Sequence, residues 1–195
     1  MRASGLRIIA GSLKGRRLAS PAWPGLRPTS DGLRETLFNI LGPRVPGARV
    51  LDACAGTGAV GIEAISRGAA HVTFFEWDQR ALDLIAANVE RCGVKDGYAI
   101  IRMELGRRVP RPFAAVFDLI FLDPPYEMNP LGALSDLAPL LTRDGLLVLE
   151  HAHRSVAPER PPGLARVRGV MSGSSALAFY VPDRAVEASL DERRD

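Results

Sequence analysis

The chain has 195 residues, 47% apolar and 24% charged, with two cysteines and a formal net charge of +3. That length suits one well-buried domain with an appendage, and the composition excludes a disordered chain. No run approaches the roughly 18 apolar residues of a membrane span, and the first 20 residues hold no apolar leader core, so the expected location is the cytoplasm, away from membranes.

The charge is uneven. Residues 1–49 carry nine Lys and Arg against Asp31 and Glu35, a net +7, which leaves −4 for the remainder. A basic arm on an acidic body suits an enzyme that acts on a polyanion, because phosphate neutralisation supplies much of the affinity for nucleic acid. A solvated basic face with no partner has equal standing on charge alone.

In chain order, "RIIAGSLKGRRL" (7–18) predicts a basic β-hairpin and "SPAWPGLRPTSDG" (20–32) a proline-rich loop. Asp31 then caps a helix whose Leu33, Leu37, Ile40 and Leu41 share one face, with Gly42 as its stop. From Arg49 strands and helices alternate. "RVLDAC" is a strand, 57–67 a helix closed by Gly68, "HVTFFE" (71–76) a strand, and 78–93 a helix capped by Asp78. "YAIIR" (98–102), "FDLIFLD" (117–123) and "GLLVLEH" (145–151) read as buried strands, with a helix over 130–141. "ARVRGVM" (165–171) and "SALAFYV" (175–181) form an antiparallel pair at the edge, and the mixed charges of 183–195 predict a frayed or disordered tail. The alternation predicts an α/β Rossmann-like fold: a seven-stranded, mostly parallel sheet with an antiparallel edge and helices on both faces. Its expected divisions are a hairpin-and-helix extension at 1–48, a catalytic domain at 49–182 and the tail at 183–195.

"LDACAGTGAVGIE" (51–63) holds Gly-x-Gly-x-x-Gly at Gly56, Gly58 and Gly61. A glycine turn between strand and helix lets a ligand approach the backbone, and both dinucleotides and S-adenosylmethionine use one. Both also want an acid at the end of the second strand for the ribose hydroxyls, and Glu76 stands 20 residues after Gly56. Asp52 favours the sulfonium cofactor. A carboxylate at that strand end needs a cationic partner, which the methionine ammonium supplies and a dinucleotide phosphate does not. The competing reading of Asp52 is a carboxylate that caps the following helix through backbone amides.

The second discriminator is "FLDPPYE" (121–127). Asp123 ends a strand at the carboxyl edge, where open parallel sheets bind ligands. Pro124 and Pro125 have no N–H and leave nearby carbonyls to accept, and Tyr126 offers a flat face. Together these are two acceptors for an exocyclic amino group and a stacking surface for a base. Cys54 and Cys92 lack neighbours at metal-ligand spacing and read as free thiols. His71, His151 and His153 are too scattered for a metal site, so no metal is expected.

The stretches "RIIAGSLKGRRL", "GLRPTSDGLRETLFNIL", "VLDACAGTGAVGIEAISRGAAHVTFFEWD" and "DLIFLDPPYE" carry a resemblance. The chain resembles the RsmD-type methyltransferases of bacteria, class I S-adenosylmethionine-dependent enzymes that modify a guanine N2 of 16S ribosomal RNA. The resemblance implies S-adenosylmethionine as methyl donor, S-adenosylhomocysteine as product, and 16S rRNA, naked or in the assembling small subunit, as partner of a monomer. It implies catalysis by Asp123, Pro124, Pro125 and Tyr126. It implies cofactor binding by Asp52, Ala55, Gly56, Thr57, Gly58 and Glu76, with Trp77 bordering the adenine or only packing. Thr29 lines the methionine end or merely starts the helix. Where such proteins often show Asp or Asn after the third strand, "IIRMELGRRV" makes Glu104 the nearest candidate, and "MSGSSALAFY" lacks the family's tyrosine before Gly173. Lys14, Arg16, Arg17 and Arg27 are expected on RNA phosphates; Arg34 joins them or pairs with Glu35 on the surface. The alternatives are methylation of a DNA adenine or a protein glutamine amide, a non-catalytic ribosome-assembly factor that keeps a cofactor pocket, and, remotely, a dehydrogenase.

Overall fold

A computed structural model describes residues 5–25, 29–106, 114–125 and 128–183. Arg27, Tyr126 and the tail beyond residue 183 lie outside them. The strands are β1 (Arg49–Ala53), β2 (His71–Glu76), β3 (Tyr98–Arg102), β4 (Phe117–Leu122), β5 (Leu141–Ala152), β6 (Leu164–Ser172) and β7 (Ser175–Pro182), and the helices α1 (Asp31–Leu41), α2 (Ala59–Ser66), α3 (Gln79–Arg91) and α4 (Pro130–Leu137). The sheet order is β3-β2-β1-β4-β5-β7-β6. β2 is parallel to β1 and β3, and β4 to β5, while β7 runs antiparallel to β5 and β6. The chain divides into two compact units, Met1–Glu104 and Leu105–Asp195.

In the first unit the apolar runs of β1 and β2 are buried almost throughout, as strands covered on both faces must be. α2 is apolar nearly all round and correspondingly buried. A Cβ on its Gly61 would lie 2.2 Å from Cε1 of Phe74 in β2, so only glycine allows the helix this close to the strand. α3 is amphipathic, burying Ala81, Leu82, Ile85, Asn88 and Val89, and its N-cap is Asp78, whose carboxylate accepts from the Arg80 N–H.

α1 begins differently from expectation. Ser30 is the N-cap, its hydroxyl accepting from the Leu33 N–H at 3.2 Å, and Asp31 is the first helical residue. Asp31 is drawn off by the Arg34 guanidinium, with which it forms an ion pair. The segment before it is a hairpin with one isolated bridge, Arg7 to Arg17, rather than two regular strands. Bonds from Ile8 N–H to the Arg16 carbonyl (2.9 Å) and from Leu18 N–H to the Leu6 carbonyl (2.8 Å) hold its two arms.

The second unit carries β4, β5, β7, β6 and α4. The helix expected over 130–141 stops at Leu137, where the 3₁₀ turn Ala138–Leu140 contains Pro139, which has no N–H to continue the ladder. β5 is longer than expected, starting at Leu141.

Candidate functional site

β1 hands over to α2 through a loop whose conformation few residues tolerate. Cys54, Gly56 and Gly58 have φ of +62°, +55° and +73°, and Gly58 is the N-cap of α2. The Gly58 N–H closes a tight turn on the Ala55 carbonyl at 2.7 Å, and the Ala55 N–H reaches across to the Phe75 carbonyl of β2 at 3.0 Å. A Cβ on Gly58 would come within 3.2 Å of the Ile85 side chain in a backbone conformation that L residues rarely adopt.

Glu76, at the end of β2, is buried and organises this loop. One carboxylate oxygen accepts from the Gly56 N–H at 2.9 Å, and the other from the N–H groups of Trp77 (2.7 Å) and Asp78 (3.0 Å). Asp52 lies in β1 at 3% exposure, its Oδ2 accepting from the Gly61 N–H at 2.8 Å. The bond is the helix-capping role weighed against an ammonium partner, and it occupies one oxygen of the carboxylate. Burial pushes the Asp52 pKa up to about 7; the Gly61 bond opposes the rise and the negative charge of Glu76 adds to it. A buried acid poised near neutrality is a group that a cation would ionise.

Thr57 is buried, and its carbonyl accepts from the Asn88 side-chain amide at 3.0 Å. Trp77, just beyond β2, is 60% exposed. The Met103 N–H bonds the Glu76 carbonyl at 2.8 Å and Glu76 pairs with Arg102, so Glu104, exposed, stands just beyond β3 at the same carboxyl edge. Thr29 directly precedes the α1 N-cap. The first unit thus gathers Asp52, Ala55, Gly56, Thr57, Gly58 and Glu76 around one loop. This set fits S-adenosylmethionine: a tight left-handed turn at the head of α2 where Gly58 has no room for a side chain, a buried acid at the β2 end and an ionisable buried acid in β1.

In the second unit Asp123 follows the last residue of β4, half-buried, with Pro124 buried and Pro125 exposed behind it. The Pro125 carbonyl is taken up by the Met128 N–H at 2.9 Å. Among the described residues none donates to the Pro124 carbonyl.

Lys14, Arg16 and Arg17 are exposed on the hairpin. Arg34 is not on that surface. It is 0% exposed, with Nη2 donating to the Arg7 carbonyl at 3.0 Å and Nη1 3.8 Å from a Glu63 carboxylate oxygen. A guanidinium enclosed in this way meets neither RNA phosphate nor the exposed Glu35, which removes both expected roles for it. Among the described residues no His, Cys, Asp and Glu cluster could hold a metal ion, and no helix is long and apolar enough to cross a membrane.

Three polar residues escaped sequence reasoning. Glu63, fully buried on α2, accepts from the N–H groups of Ile9 (2.7 Å) and Ala10 (3.0 Å) and from Arg67. Asn88 of α3 holds Ala19 through both its N–H and its carbonyl, as well as Thr57. Glu150 lies on β5 beside Asp123. A polar residue on the apolar face of a helix was the available signal for the first two.

A mostly parallel seven-stranded sheet with an antiparallel edge and a glycine loop after β1 is the fold of the class I methyltransferases. The family described as "Conserved hypothetical protein 95" matches residues 6–181, and the chain belongs to this family of RsmD-type methyltransferases. It is 33% identical over 192 residues to Ribosomal RNA small subunit methyltransferase D of Escherichia coli (strain K12), covering 95% of this chain and 94% of that one. It is 36% identical over 180 residues to YlbH of Bacillus subtilis (strain 168), covering 90% of this chain and 98% of that protein. The solved structure of yhhF from Escherichia coli matches with a TM-score of 0.77 at 30% identity, over 91% of this chain and 97% of that one.

Proposed function

We propose that this methyltransferase moves a methyl group from S-adenosylmethionine to the exocyclic N2 amino group of a guanine in the 16S RNA of the small ribosomal subunit, as a monomer working in the cytoplasm. The observation that carries the reading is Asp123 at the carboxyl end of β4, followed by a buried proline whose carbonyl has no donor among the described residues. That is a pair of acceptors suited to an amino group, in a chain related to an enzyme named for small-subunit ribosomal RNA.

When bound, S-adenosylmethionine supplies an electrophilic sulfonium methyl. Asp52 would pair with its ammonium, Glu76 would take the ribose hydroxyls, and Trp77 and Glu104 would border the adenine. Asp123 and the Pro124 carbonyl accept hydrogens from the guanine amine, which favours a pyramidal nitrogen and steadies the positive charge that grows on it. The amine nitrogen would accept that methyl group, and the proton it sheds would pass to Asp123 and then to water. Tyr126 stacks on the base, a contact worth about 1–3 kcal/mol. Lys14, Arg16, Arg17 and Arg27 hold RNA phosphates.

Asp123→Ala is expected to keep cofactor affinity and lose at least about a hundredfold in turnover, the usual scale of an acceptor aimed at developing charge. Single-turnover transfer from labelled cofactor to small subunits of cells lacking this enzyme, with mass mapping of the RNA, checks it. Unchanged turnover removes Asp123 from the chemistry. Label on DNA or protein instead of RNA identifies a different amine as the substrate, and no transfer at all identifies a non-catalytic assembly factor.

A further inference from the structure

A cavity of about 220 Å³ opens between the N-terminal hairpin and α1. Its hairpin wall carries Ile8, Ile9 and Lys14, and its helix wall carries Asp31 and Glu35, which stand one turn apart on the same face of α1. Both walls are fixed from behind. The buried Arg34 guanidinium donates through Nη2 to the Arg7 carbonyl at 3.0 Å and to the Asp31 carboxylate, while Glu63 accepts from the Ile9 N–H at 2.7 Å. The Asp31 charge is met by Arg34 and, at 3.7 Å, by Arg7. Glu35 and Lys14 differ: both are exposed, both line the cavity, and among the described residues neither forms an ion pair, with the other or with any third group. An unmatched carboxylate and an unmatched ammonium therefore border one preformed space, with the buried Ile8 and half-buried Ile9 as its apolar lining.

We propose that this cavity takes one unpaired guanosine of the RNA substrate, other than the one whose amine is methylated. A carboxylate can only accept hydrogen bonds. Among the four RNA bases guanine alone sets two donors side by side on its pairing edge, N1–H and the N2 amine, which match the two carboxylate oxygens. Adenine and cytosine place a ring-nitrogen acceptor beside their amine, and uracil flanks its N3–H with two carbonyls, so each of them turns a lone pair towards the carboxylate. Glu35 accepts from both guanine donors, Lys14 holds the phosphate of the same nucleotide, and Ile8 and Ile9 lie against the base. At about 220 Å³ the cavity falls below the roughly 300–1,000 Å³ of a pocket for a drug-sized ligand, which suits a single base.

The inference rests on the reading of RNA as the substrate. Phosphate contacts by Arg16 and Arg17 of the same hairpin carry no sequence information, whereas a base read at Glu35 sets the register in which the strand lies on them.

The test uses the full chain and fluorescein-labelled uridine octamers with one central guanosine, inosine or adenosine, read by fluorescence anisotropy. The parent chain is expected to bind the guanosine octamer about tenfold more tightly than the adenosine one, with inosine, which keeps N1–H but lacks the N2 amine, between them. Glu35→Ala should bring all three to within about twofold of one another, and Asp123→Ala should keep the tenfold preference. Lys14→Ala should weaken all three alike and lower the salt slope by about 0.7, the loss of one single-strand phosphate contact. Free GMP, which lacks the neighbouring phosphates, should displace the guanosine octamer only at about a hundredfold higher concentration. A parent chain indifferent to the base, or a preference that Asp123→Ala removes and Glu35→Ala leaves, overturns the proposal. Displacement by GMP at the octamer's own concentration overturns it too, in favour of a free nucleotide as occupant. A Glu35-dependent preference in a chain that transfers no methyl group to small subunits overturns the proposed function and leaves the cavity's assignment standing.

Discussion

Asp52 shows how one side chain couples folding, ligand and pH. Its pKa is raised to about 7, so the native state prefers the protonated acid. Stability gained from burying that neutral form is complete below the ordinary value of 3.8 and is lost as pH rises through about 7. An ammonium partner reverses the preference, because only the carboxylate pairs with it. Affinity for S-adenosylmethionine is therefore expected to rise about tenfold per pH unit below 7 and to level off above it. Calorimetric titrations between pH 5 and 8 check this, with Asp52→Asn expected to be weak and flat throughout. A flat profile in the parent chain would leave Asp52 as a helix cap alone.

At the scale of elements, α2 is the piece on which the first unit is assembled. Its Gly61 lets the helix touch Phe74, and Glu63 on the same helix receives the N-terminal hairpin through two backbone amides. Gly61→Ala places a methyl group where the Phe74 ring already is, so it should cost about 2 kcal/mol, read as a lower denaturant midpoint at unchanged slope. The strands and helices of this unit were legible because their apolar patterns are regular, and Asp78 caps α3 as its position implied, whereas α1 takes Ser30 in place of Asp31 as its cap. Arg34 was not legible. A sequence window sees a cation beside Glu35, and only the fold reveals Glu63 coming from 29 residues further along to share the interior with it. The glycine loop and Asp123 were readable for a different reason: both sit at strand ends, which alternation locates to within a residue. Glu76 stands on a different strand from the glycine loop, so its bond to Gly56 depends on pairing that no local pattern encodes.

At the scale of the whole molecule, the charge asymmetry has a physical location. The hairpin presents Lys14, Arg16 and Arg17 to solvent, whereas Arg34, counted in the same basic segment, is withdrawn from it. Reversing the three exposed charges should weaken binding to 16S RNA and reduce the log–log salt slope by about 2, from roughly 0.7 per single-strand phosphate contact. Filter binding over a salt series measures it; an unchanged slope would take the hairpin out of the RNA interface.

The Asn88 carboxamide grips Ala19 on one side and Thr57 on the other, so the incoming arm and the glycine loop hang from a single peg. Whatever tightens one end is felt at the other, and thermodynamic reciprocity makes the effect mutual. Asn88→Ala should therefore loosen the two together: weaker retention of the methyl donor and faster proteolytic nicking ahead of residue 25. Donor affinity measured with and without 16S RNA checks the link: the parent chain is expected to bind the two cooperatively and Asn88→Ala to bind them independently.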